Sequence, residues 1–195
     1  GALIRGENPV FNIPEAPPLG KYLIGLSAVL FNNPNIFIVL VAGGAGLVML
    51  YLLSRQVLGN SFVSLIPVAA FITEPLYWNQ YKHVPLFDLA QLFFLVTVFY
   101  FFNKAFVGKK RVFLYFIFAS LFLGFFISTK FYASGVPIAA SLLIVLILNK
   151  HWRKLIILLT TLWIPIAVLL ATYLRVFAFN VTPREFLGIQ KWIFI

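Results

Sequence analysis

The sequence contains no cysteine, a single methionine and very few acidic residues. Only 10% of its 195 residues are charged, with five Asp and Glu against fifteen Lys and Arg. Soluble domains carry about 25% charged residues. The missing cysteines exclude disulfides, thiol catalysis and cysteine-ligated metal sites. The scarcity of charge excludes a water-soluble enzyme and a disordered tail, because neither could be solvated with this composition.

The composition is instead that of an integral membrane protein. Hydrophobic residues make up 62% of the chain and aromatic residues 18%, and the mean hydropathy is +1.00. A helix needs about 20 apolar residues to cross a bilayer. Six stretches come close to that length: 36–53, 61–78, 85–102, 112–128, 131–148 and 155–174. We therefore predict an all-α polytopic membrane protein with about six transmembrane helices.

A seventh apolar segment, residues 19–31, would form a helix of only about 20 Å at ~1.5 Å per residue. This is too short to span comfortably, so we expect a juxtamembrane or re-entrant helix. Residues 1–18 are then the end of an extracytoplasmic loop, 36–174 the six-helix module and 175–195 the start of the next extracytoplasmic loop.

The charges are sorted along the chain in a way that predicts orientation. One set of basic residues lies in loops that hold no acid, which is typical of cytoplasmic loops. These residues are Arg55, Lys104, Lys109, Lys110, Arg111, Lys150, Arg153 and Lys154. All the acids fall on the opposite side: Glu7, Glu15, Glu74, Asp88 and Glu185. The basic excess is thus a topology signal, and nucleic acid is not an expected partner.

Glu74, Asp88 and Lys130 lie at or inside the ends of apolar stretches. A charge at membrane depth costs roughly 2.5–3.5 kcal/mol on insertion scales. Two interpretations stay open: helix-end charges whose side chains extend to the headgroups, or an opposite-charge cluster around a cavity. His83 and His151 fall on opposite sides of the membrane, so they cannot share a metal, and no metal site is predicted.

The most unusual local string is PEAPPLGK, residues 14–21. Two prolines at a helix start preset φ where no intrahelical N–H is needed. The string resembles the segment after the catalytic loop in GT-C glycosyltransferases of the dolichyl-phosphate-mannose protein mannosyltransferase family, and in the related aminoarabinose transferases. Ala16 stands where that family commonly has a histidine, and Glu15 is kept.

The resemblance extends over most of the chain. Segments 43–59, 70–88, 124–130 (GFFISTK) and 184–195 are similar, in order and spacing, to successive elements of that family. It implies transfer of a sugar, with mannose favoured, from a polyprenyl-phosphate donor to an acceptor hydroxyl, typically a protein Ser or Thr, outside the cytoplasm. The acceptor could also be a glycolipid. The compartment would be a prokaryotic plasma membrane or the endoplasmic reticulum.

The same resemblance implies roles for particular residues. The catalytic acid would precede Gly1, so the chain is expected to be an internal fragment, with Glu15 and Asp88 as supporting acids. Lipid-phosphate binding is expected from Lys21, Lys130, Arg175 and Lys82, and sugar contacts from Tyr81 and His83. The polyprenyl-phosphate sugar is expected as the donor substrate, and the sequence leaves open whether a divalent metal is needed. The lipid chain would lie in a groove between residues 93–102 and 113–126.

Two other classes of function fit parts of the sequence. A secondary transporter would use membrane acids with a lysine as a proton relay, with helices broken at Pro137 or Pro165. Its sites, however, lie at mid-bilayer, whereas the acids here gather at one face. A non-catalytic membrane subunit is the third reading, and it predicts no binding of a lipid phosphate.

Overall fold

In the computed structural model, the described residues are 17–82, 87–130, 132–178, 181, 182, 184–186 and 188. Every regular element in these ranges is helical. The predicted fold class, an all-α polytopic membrane protein, is therefore confirmed.

Eleven α-helices occur in this part of the chain. They are α1 Pro18–Phe31, α2 Ile36–Ile38, α3 Gly46–Leu58, α4 Leu65–Thr73, α5 Pro75–Lys82, α6 Asp88–Val107, α7 Val112–Ile127, α8 Gly135–Leu148, α9 Trp152–Thr161, α10 Trp163–Thr172 and α11 Leu174–Ala178. A π-helical segment, Val39–Ala45, joins α2 to α3 in one continuous helix. A 3-10 turn, Tyr132–Ser134, precedes α8.

Three helical stretches are long and apolar enough to cross a membrane: Ile36–Leu58, Asp88–Val107 and Trp152–Thr172. They correspond to three of the predicted spans. The apolar helices α1, α7 and α8 are shorter, with 14, 16 and 14 residues. At ~1.5 Å per residue α7 is about 24 Å long, somewhat less than a hydrocarbon core of about 30 Å.

The predicted span 61–78 differs from the observed structure. It is interrupted at Glu74, whose backbone is extended with φ −67° and ψ 122°, so that α4 ends and α5 begins at Pro75. Proline disfavours helical geometry in the residue before it and has no N–H to donate. Across the bend, the Trp78 indole N–H donates to the carbonyl of Ile72 at 2.6 Å. The chain therefore bends where one straight helix was expected.

Helix α6 is the centre of the bundle, with α3 parallel to it. Gly46 faces Phe93 near the start of both helices, and the Asn103 side-chain amide donates to Gln56 Oε1 at 3.0 Å near their ends. Helix α7 returns antiparallel against α6. The ring of Phe101 stacks on Phe118 at 5.0 Å. Offset stacked rings combine a large apolar area with a defined geometry, which fixes the register of the pair.

Helix α10 approaches α7 closely at a glycine. A methyl carbon added at Gly124 would lie 2.7 Å from Val168 Cβ. One helical turn before Gly124, the Ser120 hydroxyl donates to Thr161 Oγ1 at 2.9 Å, and both residues are buried. The absence of a side chain lets the backbones approach, which is how helices commonly associate in membranes.

The two ends of the bundle carry different charges. At one end, the Lys154 ammonium donates to the carbonyls of Phe106 at 2.5 Å and Gly108 at 3.0 Å. The His151 ring lies 5.1 Å from that of Phe106. The basic loops that follow α6 and α8 therefore meet at the same end, hereafter the basic end. Asp88 and Lys130 lie at the opposite end, hereafter the site end.

We predict that Gly124→Ala destabilises the bundle. Its new methyl group meets a Cβ atom that cannot rotate away, and overpacking of this kind costs about 1–3 kcal/mol. The matched control is Gly25→Ala in α1, where nothing lies within 4 Å of the added carbon. Thermal unfolding in detergent measures both. Equal midpoints for the two variants would contradict the close α7–α10 approach.

Candidate functional site

At the site end, the start of α1 packs on the turn that follows α7. The first N–H groups of a helix and its last carbonyls lack intrahelical partners. Pro18 has no N–H, and the N–H of Leu19 donates to the carbonyl of Ser128, the C-cap residue of α7, at 3.0 Å. One helix start and one helix end thus satisfy each other. Pro17 and Pro18 are fully buried in this contact.

Gly20 makes the close approach possible. A carbon added there would lie 2.5 Å from Cδ1 of Phe87 and 2.8 Å from the carbonyl oxygen of Thr129. Thr129 is fully buried, and its hydroxyl donates to the carbonyl of Phe125 at 2.6 Å. The PPLG string of α1 and the STK string after α7 therefore form one junction, hereafter the α1–α7 junction: residues 17–21 and 128–130.

An ion pair stands beside the junction. The Lys130 ammonium contacts Asp88 Oδ1, and the side chains are 46% and 37% exposed. Asp88 is the first residue of α6, and Lys130 follows the end of α7. A carboxylate at a helix start and a cation at a helix end both interact favourably with the helix dipole. Exposed pairs are worth only about 0–1 kcal/mol. This one positions an accessible ammonium more than it stabilises the fold.

Lys21 continues the junction into α1 and is only 9% exposed. The next residue, Tyr22, donates its hydroxyl proton to the carbonyl of Thr172 at 3.1 Å, at the end of α10. The start of α1 and the ends of α7 and α10 therefore converge with the start of α6. Among the predicted donor-binding lysines, Lys21 and Lys130 lie on this one junction.

The remaining predicted site residues cannot be located in this way. Glu15 and His83 lie outside the described residues. Tyr81 and Lys82 are the last residues of α5, and Arg175 is in α11, but their side chains lie outside the described part. Within the described part, no three His, Asp or Glu residues lie together as metal ligands.

Sequence reasoning missed Ser128, Tyr22 and Phe87. Ser128 contributes a backbone carbonyl, which has no side-chain signature. Its own hydroxyl is buried without a hydrogen-bond partner among the described residues. Tyr22 resembles an ordinary interfacial tyrosine in the sequence. The nearest signal was Gly20, since a glycine inside a helix often marks a close approach.

Beyond α11, Thr182 and Glu185 form a capping box, in which each residue satisfies the other. The Thr182 N–H and hydroxyl donate to Glu185 Oε2 at 2.8 and 2.9 Å, and the Glu185 N–H donates back to Thr182 Oγ1 at 3.3 Å. The bond from the Thr182 backbone, followed by that from its hydroxyl, holds the pKa of Glu185 below its usual range. This carboxylate is thus engaged in holding a helix start.

We predict that Gly20→Ala opens the α1–α7 junction. The added methyl group meets a backbone oxygen, which cannot move without shifting the turn. Hydrogen exchange followed by mass spectrometry should show faster exchange of the amides of residues 19–22, while Gly25→Ala in the same helix keeps the parent rate. If both variants exchange alike, the junction is not as tight as described.

The profile of the family described as dolichyl-phosphate-mannose-protein mannosyltransferase matches residues 15–178 of the chain. Comparison with curated proteins and with solved structures gave no significant match. The matched region begins just before the α1–α7 junction and runs through α11. Together with the all-helical membrane fold, this match identifies the chain as a membrane glycosyltransferase of the GT-C type. The chain belongs to the dolichyl-phosphate-mannose-protein mannosyltransferase family.

Proposed function

We propose that the protein transfers a sugar, with mannose favoured, from a polyprenyl-phosphate donor to a hydroxyl group of an acceptor, typically a protein Ser or Thr. The reaction is assigned to the extracytoplasmic side. The observation that supports this best is the junction itself. Two strings that resemble the family, PPLGK and STK, pack together beside the accessible Lys130–Asp88 pair.

The proposed reaction would be favoured by a cation beside the leaving phosphate. The bond between the sugar C1 and the phosphate oxygen breaks, and a bond from C1 to the acceptor oxygen forms. Polyprenyl phosphate leaves with the electron pair, while the acceptor proton passes to a general base. Negative charge grows on the phosphate, and preorganised ammonium groups stabilise it. Lys130 is accessible and is held by Asp88, so it is the first candidate for this role.

The other assignments follow from the same chemistry. Lys21 lies on the junction and would assist Lys130, with Arg175 and Lys82 as further phosphate-binding candidates. Tyr81 and His83 are proposed to contact the sugar, and Glu15 to support the lysines. The general base is assigned, by family resemblance, to an acid N-terminal to Gly1. No metal or cofactor is included in this scheme.

The lipid chain needs an apolar groove next to the phosphate. The interface of 93–102 with 113–126 is not that groove, because its phenylalanine rings pack on one another. A cavity of about 280 Å³ lies on the other side of α7, against α8 and α10. Its lining is Leu123, Ile127, Gly135, Val136, Ala139, Leu162, Pro165 and Ile166. Because Ile127 immediately precedes Ser128, we assign the first isoprene units to this cavity.

We expect Lys130→Ala to lower sugar transfer about 10²–10³-fold, the usual effect of removing one preorganised charge-stabilising group. Lys130→Arg keeps the positive charge and should retain more activity. The assay uses membranes that contain the complete protein and radiolabelled polyprenyl-phosphate-mannose, and follows label into protein. Arg153→Ala, which removes a charge from the basic end, is the control and should transfer at the parent rate.

The result that would overturn the phosphate assignment is transfer at the parent rate by both Lys130→Ala and Lys21→Ala, at equal protein levels in the membrane. A parent protein that transfers no mannose, but transfers another polyprenyl-linked sugar, would keep the reaction class and replace the sugar.

Asp88 is proposed to act through Lys130, and a double-mutant cycle tests this. Asp88→Asn should lower transfer less than Lys130→Ala does. The combined variant should be no worse than Lys130→Ala alone, because the lysine it positions is already absent. Additive losses would instead give Asp88 its own contact with the substrate.

A further inference from the structure

A second cavity, which has a polar lining, lies at the basic end, far from the proposed reaction site. It has a volume of about 430 Å³ and is bordered by the ends of α3 and α6 and the start of α7. Its lining residues are Gln56, Asn103, Lys104, Val107, Gly108, Lys109, Lys110 and Tyr115. Three of these eight residues are lysines and none is acidic, so the cavity has a basic lining.

No carboxylate of the described residues balances these lysines. Asp88 pairs with Lys130, Glu185 accepts from Thr182, and Glu74 ends α4 at the site end. The backbone carbonyls of Phe106 and Gly108, near the end of α6, accept hydrogen bonds from Lys154, which does not line the cavity. The exposed Lys109 and Lys110 are therefore available to an external anion.

The cavity also holds an unused hydrogen-bond donor. The Asn103 side-chain amide donates to Gln56 Oε1 at 3.0 Å, which fixes the orientation of the Gln56 amide. The Gln56 Nε2 is buried and has no acceptor among the described residues. Buried donors are nearly always paired in native proteins. An oxygen of a bound anion would supply the missing acceptor.

The surroundings of the cavity indicate that its ligand carries apolar chains. Val107, one of the lining residues, is 73% exposed, and Val57 and Leu58 at the end of α3 are exposed as well. At the start of α7, Phe113 and Leu114 are exposed too. A soluble phosphate ion would leave this apolar rim uncovered. The acyl chains of a lipid would cover it and continue along the membrane-spanning helices.

We propose that this cavity binds the phosphate of an anionic membrane phospholipid. Lys104, Lys109 and Lys110 neutralise the headgroup, Gln56 Nε2 donates to a phosphate oxygen, and the acyl chains lie against the Val107 rim. Basic pockets between transmembrane helices are known to take such headgroups. The site is independent of sugar transfer, because it uses none of the residues of the α1–α7 junction.

The test is retention of lipid by the purified protein in native mass spectrometry. The probes are dioleoylphosphatidylglycerol and, as the zwitterionic comparison, dioleoylphosphatidylcholine. The parent should retain phosphatidylglycerol preferentially. The double variant Lys109→Gln/Lys110→Gln should bind phosphatidylglycerol about 25-fold more weakly, since each lysine near an anionic headgroup contributes roughly fivefold to the affinity. Lys150→Gln with Arg153→Gln removes the same charge from the same end and should keep the parent affinity.

A variant inside the cavity makes the test independent of net charge on the loops. Gln56→Glu has nearly the same shape but replaces the Nε2 donor with a carboxylate oxygen that would face the phosphate, and should abolish the preference for phosphatidylglycerol. Two results would overturn the proposal. One is an equal loss of phosphatidylglycerol binding in the Lys109→Gln/Lys110→Gln variant and in the Lys150→Gln/Arg153→Gln control. The other is displacement of the lipid by millimolar inorganic phosphate, which would make the ligand a soluble anion.

Discussion

The hydrogen bond from the Leu19 N–H to the Ser128 carbonyl organises the site end of the molecule. It joins two helix termini that would otherwise each leave a polar backbone group unpaired in an apolar setting, where such groups are costly. Pro18 needs no partner for an N–H, and Gly20 has no side chain, so the start of α1 can approach the turn after α7 closely. Lys21 and Lys130 become neighbours of the same junction as a consequence.

The two ends of the bundle use their charges differently. At the site end the charges are few, and the accessible lysine has a carboxylate partner, which gives it a fixed position. At the basic end the lysines have no described carboxylate partner, and Lys154 is held by backbone carbonyls alone. Paired charge suits a reaction in which geometry matters. Unpaired charge suits attraction of an anion.

Much of the fold follows from the sequence, because long apolar stretches and basic loops obey strong physical rules. The predicted spans near 36–53, 85–102 and 155–174 correspond to helical stretches long enough to cross a membrane. The sequence also indicated that the charges of Asp88 and Lys130, at the ends of apolar stretches, need a stabilising partner or contact with water. The interruption at Glu74 was missed. Hydropathy stays high through residues 61–78, so the apolar signal outweighed the backbone restriction that Pro75 imposes.

Contacts between distant segments were the least predictable. The hydrogen bond between Leu19 and Ser128 joins backbone atoms, which nearly every residue has, so it cannot be predicted from residue types. The lipid groove was expected between two phenylalanine-rich helices, but those rings fill the interface and leave the space on the far side of α7. Composition reports how apolar a helix is. It does not report which face has a partner.

The ion pair at the start of α6 has a consequence for biosynthesis. Asp88 and Lys130 are 42 residues apart, and Tyr22 and Thr172 are 150 residues apart. When α6 leaves the ribosome, its first residue is a carboxylate whose partner has not yet been synthesised, and α1 has neither of its docking carbonyls. The helices can enter the bilayer one after another, but the site end is completed only when α10 arrives. Assembly of this site therefore waits until α10 has been synthesised, 150 residues after Tyr22.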